Sequence, residues 1–277
     1  MPLLSPLEVM RLKLETIPAP ALKELARIEK VPGTRAAELV KNLASSGLDQ
    51  EALDNFIRVR YAEKVEKRRT VIPDGYLLSE LAKVESFRWG VVQGQLDNKI
   101  QVEYVRRYHC FDELLDQVAK DLYEAVKDYV ICTWYNHWTT VIIEDIISTH
   151  PAVVPTLKNK KGIDLFFGGQ PFDLKTTYMP EGCPLSPGEL PDPKDLAVWL
   201  YENQGAQRFG ADNRLFVVVH DTANPRDSWK IKRDIRFVKQ KIDAFFASQN
   251  VSQSDEIVFT FRRQTYTAIS KVLFVIK

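Results

Sequence analysis

The chain has 277 residues, 45% of them hydrophobic and 27% charged, with a formal net charge of +1. That balance excludes a disordered chain and leaves room for one large domain or two smaller ones. No apolar run is long enough to span a membrane, and near-neutrality supplies no general cationic field for nucleic acid, although acidic metal ligands can offset basic phosphate contacts. Cys110, Cys132 and Cys183 are far apart and form no CxxC pair. They argue against a zinc site or a disulfide framework and suit a reducing cytoplasm. Glu8 and Arg11 interrupt the first apolar stretch too early for a signal-peptide core, so the expected location is cytoplasmic.

Residues 5 to about 70 read as helical. Ser5-Pro6 starts a helix with Pro at its first position. Pro18 and Pro20 precede a segment in which Leu22, Leu25 and Ile28 recur at helical spacing. Val31-Pro32-Gly33 turns the chain, and Thr34 is placed to cap the next helix, with Leu39, Val40 and Leu43 on its apolar face. Gly47 ends that helix, and Asp49 opens a longer one that becomes basic at Lys64, Lys67, Arg68 and Arg69. Pro73-Asp74-Gly75 marks a turn and a boundary. The expected organisation is a helical domain over 1–72 and a larger domain over 73–277, divided into a bridge (73–130) and a core (131–277).

In the bridge, 76–83 suits a short helix. Phe87–Gln93 and Lys99–Arg107 read as strands around Asp97-Asn98, with a helical reading also open for the second. Arg106, Arg107, Tyr108 and His109 form a basic, aromatic cluster that suits either nucleic acid or a solvated strand end. Phe111–Val130 reads as an amphipathic helix with Leu114, Leu115, Val118, Leu122 and Val126 on one stripe. Thr133–His150 reads as a second, largely buried helix, which makes Glu144 and Asp145 informative: a buried acid costs free energy unless it is exposed or paired. His137 and His150 show no metal-ligand spacing.

Pro151–Lys161 reads as a connection ending in Lys158, Lys160 and Lys161. The stretch that follows, Gly162 to Thr177, reads GIDLFFGGQPFDLKTT. Two apolar, strand-like pieces flank Gly168-Gly169, which suits a two-residue hairpin turn. Alternation puts Asp173 and Lys175 on one face of the second strand, and the hairpin brings Asp164 beside them. Two carboxylates and an ammonium around one point suit a divalent metal and an activated water. Beyond lies an irregular, proline-rich segment from Tyr178 to Lys194, then a helix over Asp195–Gln207. Gln204, Gln207 and Arg208 stand at its end, suited to phosphate or adenine contact or to a polar helix end. Arg214–His220 reads as a central buried strand, Ser228–Phe246 as a cationic amphipathic helix, and Glu256–Arg262 and Ala268–Ile276 as strands.

Asp164 followed by Asp173-Leu174-Lys175 resembles the PD-(D/E)xK nuclease superfamily, with Ile163 in place of the proline. The resemblance implies an α/β fold with a restriction-endonuclease-like αβββαβ core and a central mixed sheet, here preceded by a small all-helical domain. It implies Mg²⁺, with Mn²⁺ a substitute, held by Asp164, Asp173 and the Leu174 carbonyl, and Lys175 beside the attacking water. Glu144, on the preceding helix, either joins the metal site or is an ordinary helix acid. Residues 12–46, through Leu22, Leu25, Gly33, Arg35, Leu39, Lys41 and Leu43, resemble a SAP domain. That resemblance implies contact with duplex-DNA backbone by Thr34, Arg35 and Lys41; a plain helical hairpin with solvated cations is the alternative. The activity so implied is that of a type II restriction endonuclease, a homodimer acting on double-stranded DNA beside a methyltransferase of the same specificity and without a membrane partner. A repair or recombination nuclease and an inert DNA-binding adaptor are the alternatives.

Overall fold

The computed structural model describes residues 3–86, 96, 98–180, 182–183, 191–203 and 210–277. The chain forms two compact units, Met1–Val71 with Ile143–Lys277, and Ile72–Ile142. This division differs from the expected one. The boundary near residue 72 is present, but the N-terminal helices group with the C-terminal half of the chain.

In the first unit, four helices come first: α1 (Pro6–Glu15), α2 (Ala19–Ile28), α3 (Ala36–Ser45) and α4 (Gln50–Val71). Ser5 caps α1 in a capping box with Glu8, whose carboxylate accepts from the Ser5 N–H at 2.8 Å. Leu14, Leu22, Leu39, Leu43 and Leu53 are buried in one cluster with Val154, Ile163 and Phe166. The last three belong to the sheet, so the helices have no closed core of their own and complete it on the sheet's first strands. Lys13 is drawn into this layer: it is buried, pairs with Asp54 at 2.6 Å, and lies over the Phe166 ring.

The sheet contains β1 (Val153–Lys160), β2 (Ile163–Phe167), β3 (Gln170–Tyr178), β4 (Arg214–His220), β5 (Glu256–Phe261) and β6 (Gln264–Ile276), in the order β1-β2-β3-β4-β6-β5. β1, β2 and β3 form an antiparallel meander, β3–β4 and β4–β6 are parallel, and β5 returns antiparallel to β6. The α/β class and the mixed sheet thus stand as expected. Residues of β4 alternate between two layers. Leu215, Val217 and Val219 face Ile143, Ile147 and α10 (Ile235–Ser248; Val238, Ile242, Phe246). Phe216 and Val218 face α8 (Pro193–Glu202; Leu196, Tyr201). A strand buried on both faces reads as a continuous apolar run for this reason.

Several sequence expectations are corrected. β1 was expected as a connection because its second half is polar. Its first half, Val153-Val154-Pro155, is buried, and the Lys158 N–H donates to the Thr16 carbonyl at 3.0 Å, so the helical layer supports the strand. The expected helix over Ser228–Phe246 is two: α9 (Ser228–Ile231), then α10 after a turn, with Asp234 accepting from the Phe237 N–H.

In the second unit, Pro73-Asp74-Gly75 is not a free turn but the start of α5 (Asp74–Ala82). The expected strand at Lys99–Arg107 is a π-helical turn over Ile100–Val105, the helical alternative. Phe87–Gln93 lies outside the described residues. The helices expected at 111–130 and 133–150 are continuous: α6 (Phe111–Gln117), a π-turn (Val118–Leu122), and α7 (Tyr123–Ser148), which runs from the second unit into the first. Neither proline nor glycine stands at residues 131–132 to end the first helix. None of Leu114, Leu115, Val118, Leu122 and Val126 is buried, so that stripe is not a core face.

Candidate active site

The hairpin at the centre of β2–β3 is closed by Gly168 and Gly169, at φ +54° and +71°. A two-residue type I′ turn requires positive φ at both positions, which glycine supplies without a Cβ penalty. At Gly168 a Cβ would also meet Val251 at 2.7 Å. The turn fixes the register Phe167↔Gln170, Phe166↔Pro171 and Leu165↔Phe172. Beyond Leu165 and Phe172 the ladder opens, and Asp164 and Asp173 face each other across the gap.

In that gap Asp164 Oδ2 accepts the Leu174 N–H at 2.8 Å. The N–H and C=O of one strand residue leave the same edge, so the Leu174 carbonyl is directed to the Asp164 side. The Asp173 N–H goes the other way, to the Asn213 carbonyl at 2.8 Å. Lys175 Nζ donates to Asp173 Oδ1 at 2.8 Å, in agreement with the alternation argument. Asp173 Oδ2 is held by Arg214 Nε at 3.2 Å. Arg214 is the strand neighbour of Asp173 across the β3–β4 ladder. It is buried, and its guanidinium lies 4.8 Å from the centre of the Tyr201 ring. Tyr201 is in turn fixed by donating its hydroxyl to the Asp212 carbonyl at 2.7 Å.

The electrostatics of the cluster are unfavourable for its acids. Asp164 reaches solvent, yet the protein around it desolvates the carboxyl and raises its pKa. The Leu174 N–H and Lys175 oppose that rise, while Asp173 adds to it. Glu144, on α7, is pushed up to about 7, first by burial and then by Asp164 and Asp145, against Lys175 and Lys64. Its charge is therefore felt by the hairpin. Lys232 is buried beside the Tyr178 ring, which ends β3, and burial lowers it to about 7 against the pull of Glu144. Asp145, next in sequence to Glu144, has a different role: Oδ2 takes Arg68 at 2.6 Å and Oδ1 takes the Tyr61 hydroxyl at 3.2 Å. It anchors α7 to α4.

The structure thus brings Asp164, Asp173, Leu174 and Lys175 together and sets Glu144 within electrostatic reach. Arg214, Tyr201 and Lys232 escaped the sequence reading. The signal for Arg214 was a cation at the mouth of an otherwise apolar strand, since a buried charge demands a partner. Thr34, Arg35 and Lys41, the DNA contacts that the SAP resemblance implies, lie apart from this cluster in the sequence and are exposed, while Leu22, Leu25, Leu39 and Leu43 are buried. The cap expected of Thr34 falls to Arg35, and α3 begins at Ala36. The Glu38 carboxylate accepts the Thr34 N–H at 3.1 Å, so the chain already supplies an anion at this helix start. Of the expected basic run, Lys160 is ion-paired with Glu15. Gln204, Gln207 and Arg208 lie outside the described residues. His150 is a packing residue, stacked on Phe246 at 4.7 Å.

No protein-family model matches the chain, and neither a curated protein nor a solved structure does.

Among the described residues no three His, Cys, Asp or Glu side chains form a ready-made metal cage. The donors at the hairpin are two aspartates and a backbone carbonyl, all hard oxygens, at a point where acids repel one another. That set fits Mg²⁺, which is held by one or two carboxylates with water and substrate phosphate completing the shell.

Proposed function

We propose that the chain is a Mg²⁺-dependent endonuclease of double-stranded DNA, most closely of the type II restriction kind, with Asp164, Asp173 and Lys175 at its active site. One observation carries the reading: Asp164 and Asp173 face each other where the β2–β3 ladder opens, with Lys175 on Asp173. The order from α7 onward, a helix, three antiparallel strands, a helix and a strand parallel to β3, supports a reading as an αβββαβ core, with β1 rather than β4 completing the three strands. Supplied there, Mg²⁺ offers positive charge opposite a scissile phosphate and acidifies water.

The chain's own residues define the remaining steps. Asp164 and Asp173 present oxygens, and the Leu174 N–H orients Asp164. Lys175 exchanges its Asp173 contact for the attacking water or the phosphate oxygens, adding positive charge where negative charge develops. Arg214 keeps its hold on Oδ2 of Asp173, leaving Oδ1 to change partners. Glu144, close to half-ionised near neutral pH, accepts a proton or holds water at the edge of the cluster. The exposed Arg35 and Lys41 supply backbone contacts to the duplex.

Purified protein is incubated with plasmid DNA of varied sequence and Mg²⁺, beside Lys175→Ala. Cleavage is expected to fall by about 10³-fold or more in the variant, roughly 4 kcal/mol of barrier. Equal behaviour of the two proteins removes the assignment. Discrete fragments fit restriction; cutting only at flaps or junctions fits repair.

A second reading, an inert DNA-binding adaptor, draws on the engagement of both Asp173 oxygens by Lys175 and Arg214. Calorimetry with Mn²⁺ separates the two. Absence of binding by both the protein and its DNA complex favours the adaptor.

A further inference from the structure

In the second unit, the long helical run exposes its apolar side chains in a line. Phe111 is 70% exposed, Leu115 49%, Tyr123 65%, Val126 37% and Val130 55%, with Ala119 exposed between them. The first four positions of this line, residues 111, 115, 119 and 123, are four apart. Such a row drifts around a helix of 3.6 residues per turn. The wider π-turn at Val118–Leu122 falls within the row and takes up the drift. From Ala119 the spacing alternates four and three, through Tyr123, Val126 and Val130 to the exposed Thr133 and His137. That is a seven-residue repeat, the pattern of a helix that packs lengthwise on another helix.

We propose that this stripe is a self-association surface and that its occupant is a second copy of the same chain. A heptad stripe is complementary to itself, because its side chains fit between the equivalent side chains of an identical helix. Its size agrees: the exposed parts of these side chains amount to on the order of 500 Å² of apolar surface. A stable interface takes about 800 Å² per partner, and homodimer interfaces are roughly two-thirds apolar. The exposed remainder of this helical run is largely charged, including Asp112, Glu113, Asp116, Lys120, Asp121, Glu124 and Lys127, which suits a polar rim. The surface stands independently of the nuclease reading.

Sedimentation velocity of the full chain at roughly 20 µM, far above the dissociation constant of a standard-size interface, reads the outcome without DNA or metal. The wild type is expected as a dimer. Tyr123→Glu and Val130→Glu are expected as monomers with unchanged circular dichroism, since both positions are exposed. Val71→Glu, an exposed apolar position of the first unit that is not part of the stripe, is expected to remain a dimer. A monomeric wild type overturns the proposal, as does a wild type that is monomeric alone and sediments with phosphatidylcholine vesicles. Dimers in both stripe variants, or a monomer in Val71→Glu, overturn it as well.

Discussion

Two regions of the first unit place acids in partly desolvated surroundings, and they do so in opposite ways. At the α4–α7 contact, Asp145 gives one carboxylate oxygen to Arg68 and the other to Tyr61. At the hairpin, Asp164, Asp173 and Glu144 share one neighbourhood, Arg214 and Lys175 are both committed to Asp173, and the pKa values of Asp164 and Glu144 are raised. The first arrangement is satisfied and rigid; the second carries an excess of negative charge that a cation or a proton would relieve. The lesson is that burial of an acid does not mark a site, whereas burial without enough counter-charge does.

Five substitutions test this contrast. The largest stability effect is expected from Asp145→Ala, which removes the carboxylate used by both Arg68 and Tyr61. A loss of about 3 kcal/mol is expected in urea unfolding, because a broken buried pair leaves a costly cation behind. A loss below about 1 kcal/mol would mean that the contact is not the satisfied one.

Glu144→Gln should act in the other direction. Glu144 has a folded-state pKa of about 7 against an ordinary 4.5. Its protonated form therefore favours the fold below the ordinary value, and that contribution is lost as pH rises through 7. The amide should raise stability at pH 8 by about 2 kcal/mol and change nothing at pH 4. Denaturation midpoints at the two pH values give the answer, and equal shifts at both would deny the raised pKa.

At Arg214 the contrast meets the proposed chemistry. Arg214→Lys keeps the charge but gives up the planar contact with Tyr201 and the geometry at Asp173 Oδ2. Cleavage is expected to slow about 10-fold with a modest fall in stability. A rate equal to that of the wild type would show that Asp173 needs no second anchor. The smallest effects belong to the exposed helix pair: Arg35→Ala and Lys41→Ala should each lower DNA affinity a few-fold. Each should reduce the salt slope of binding by about one while leaving stability within about 0.5 kcal/mol. Unchanged salt slopes would mark these residues as solvated surface.

Much of this was legible in the chain itself. The glycine pair, the strand alternation and the spacing of Asp164 and Asp173 determined the hairpin and the common face of Asp173 and Lys175, because turn sterics and the two-residue strand period act locally. The continuous apolar run of β4 likewise announced a strand buried on both sides. The helical start at Ser5-Pro6 and the stop at Gly47 followed from capping and from a positive φ that glycine accepts.

What tertiary structure alone decided was partnership. β1 is polar over half its length and becomes a strand because the N-terminal helices cover its other half. Those helices finish their core on Phe166 and Ile163 instead of closing on themselves. Glu144 and Asp145 are neighbours in sequence with no local difference to separate them. One was matched to a cation from a helix 77 positions away, and the other was turned toward a hairpin already rich in acids. Arg214 looked like the edge of a strand until the parallel register set it beside Asp173. A sequence states which charges exist and which faces are apolar. Which charge meets which depends on long-range register and on the burial that comes with it, and that balance separates a paired acid from one short of counter-charge.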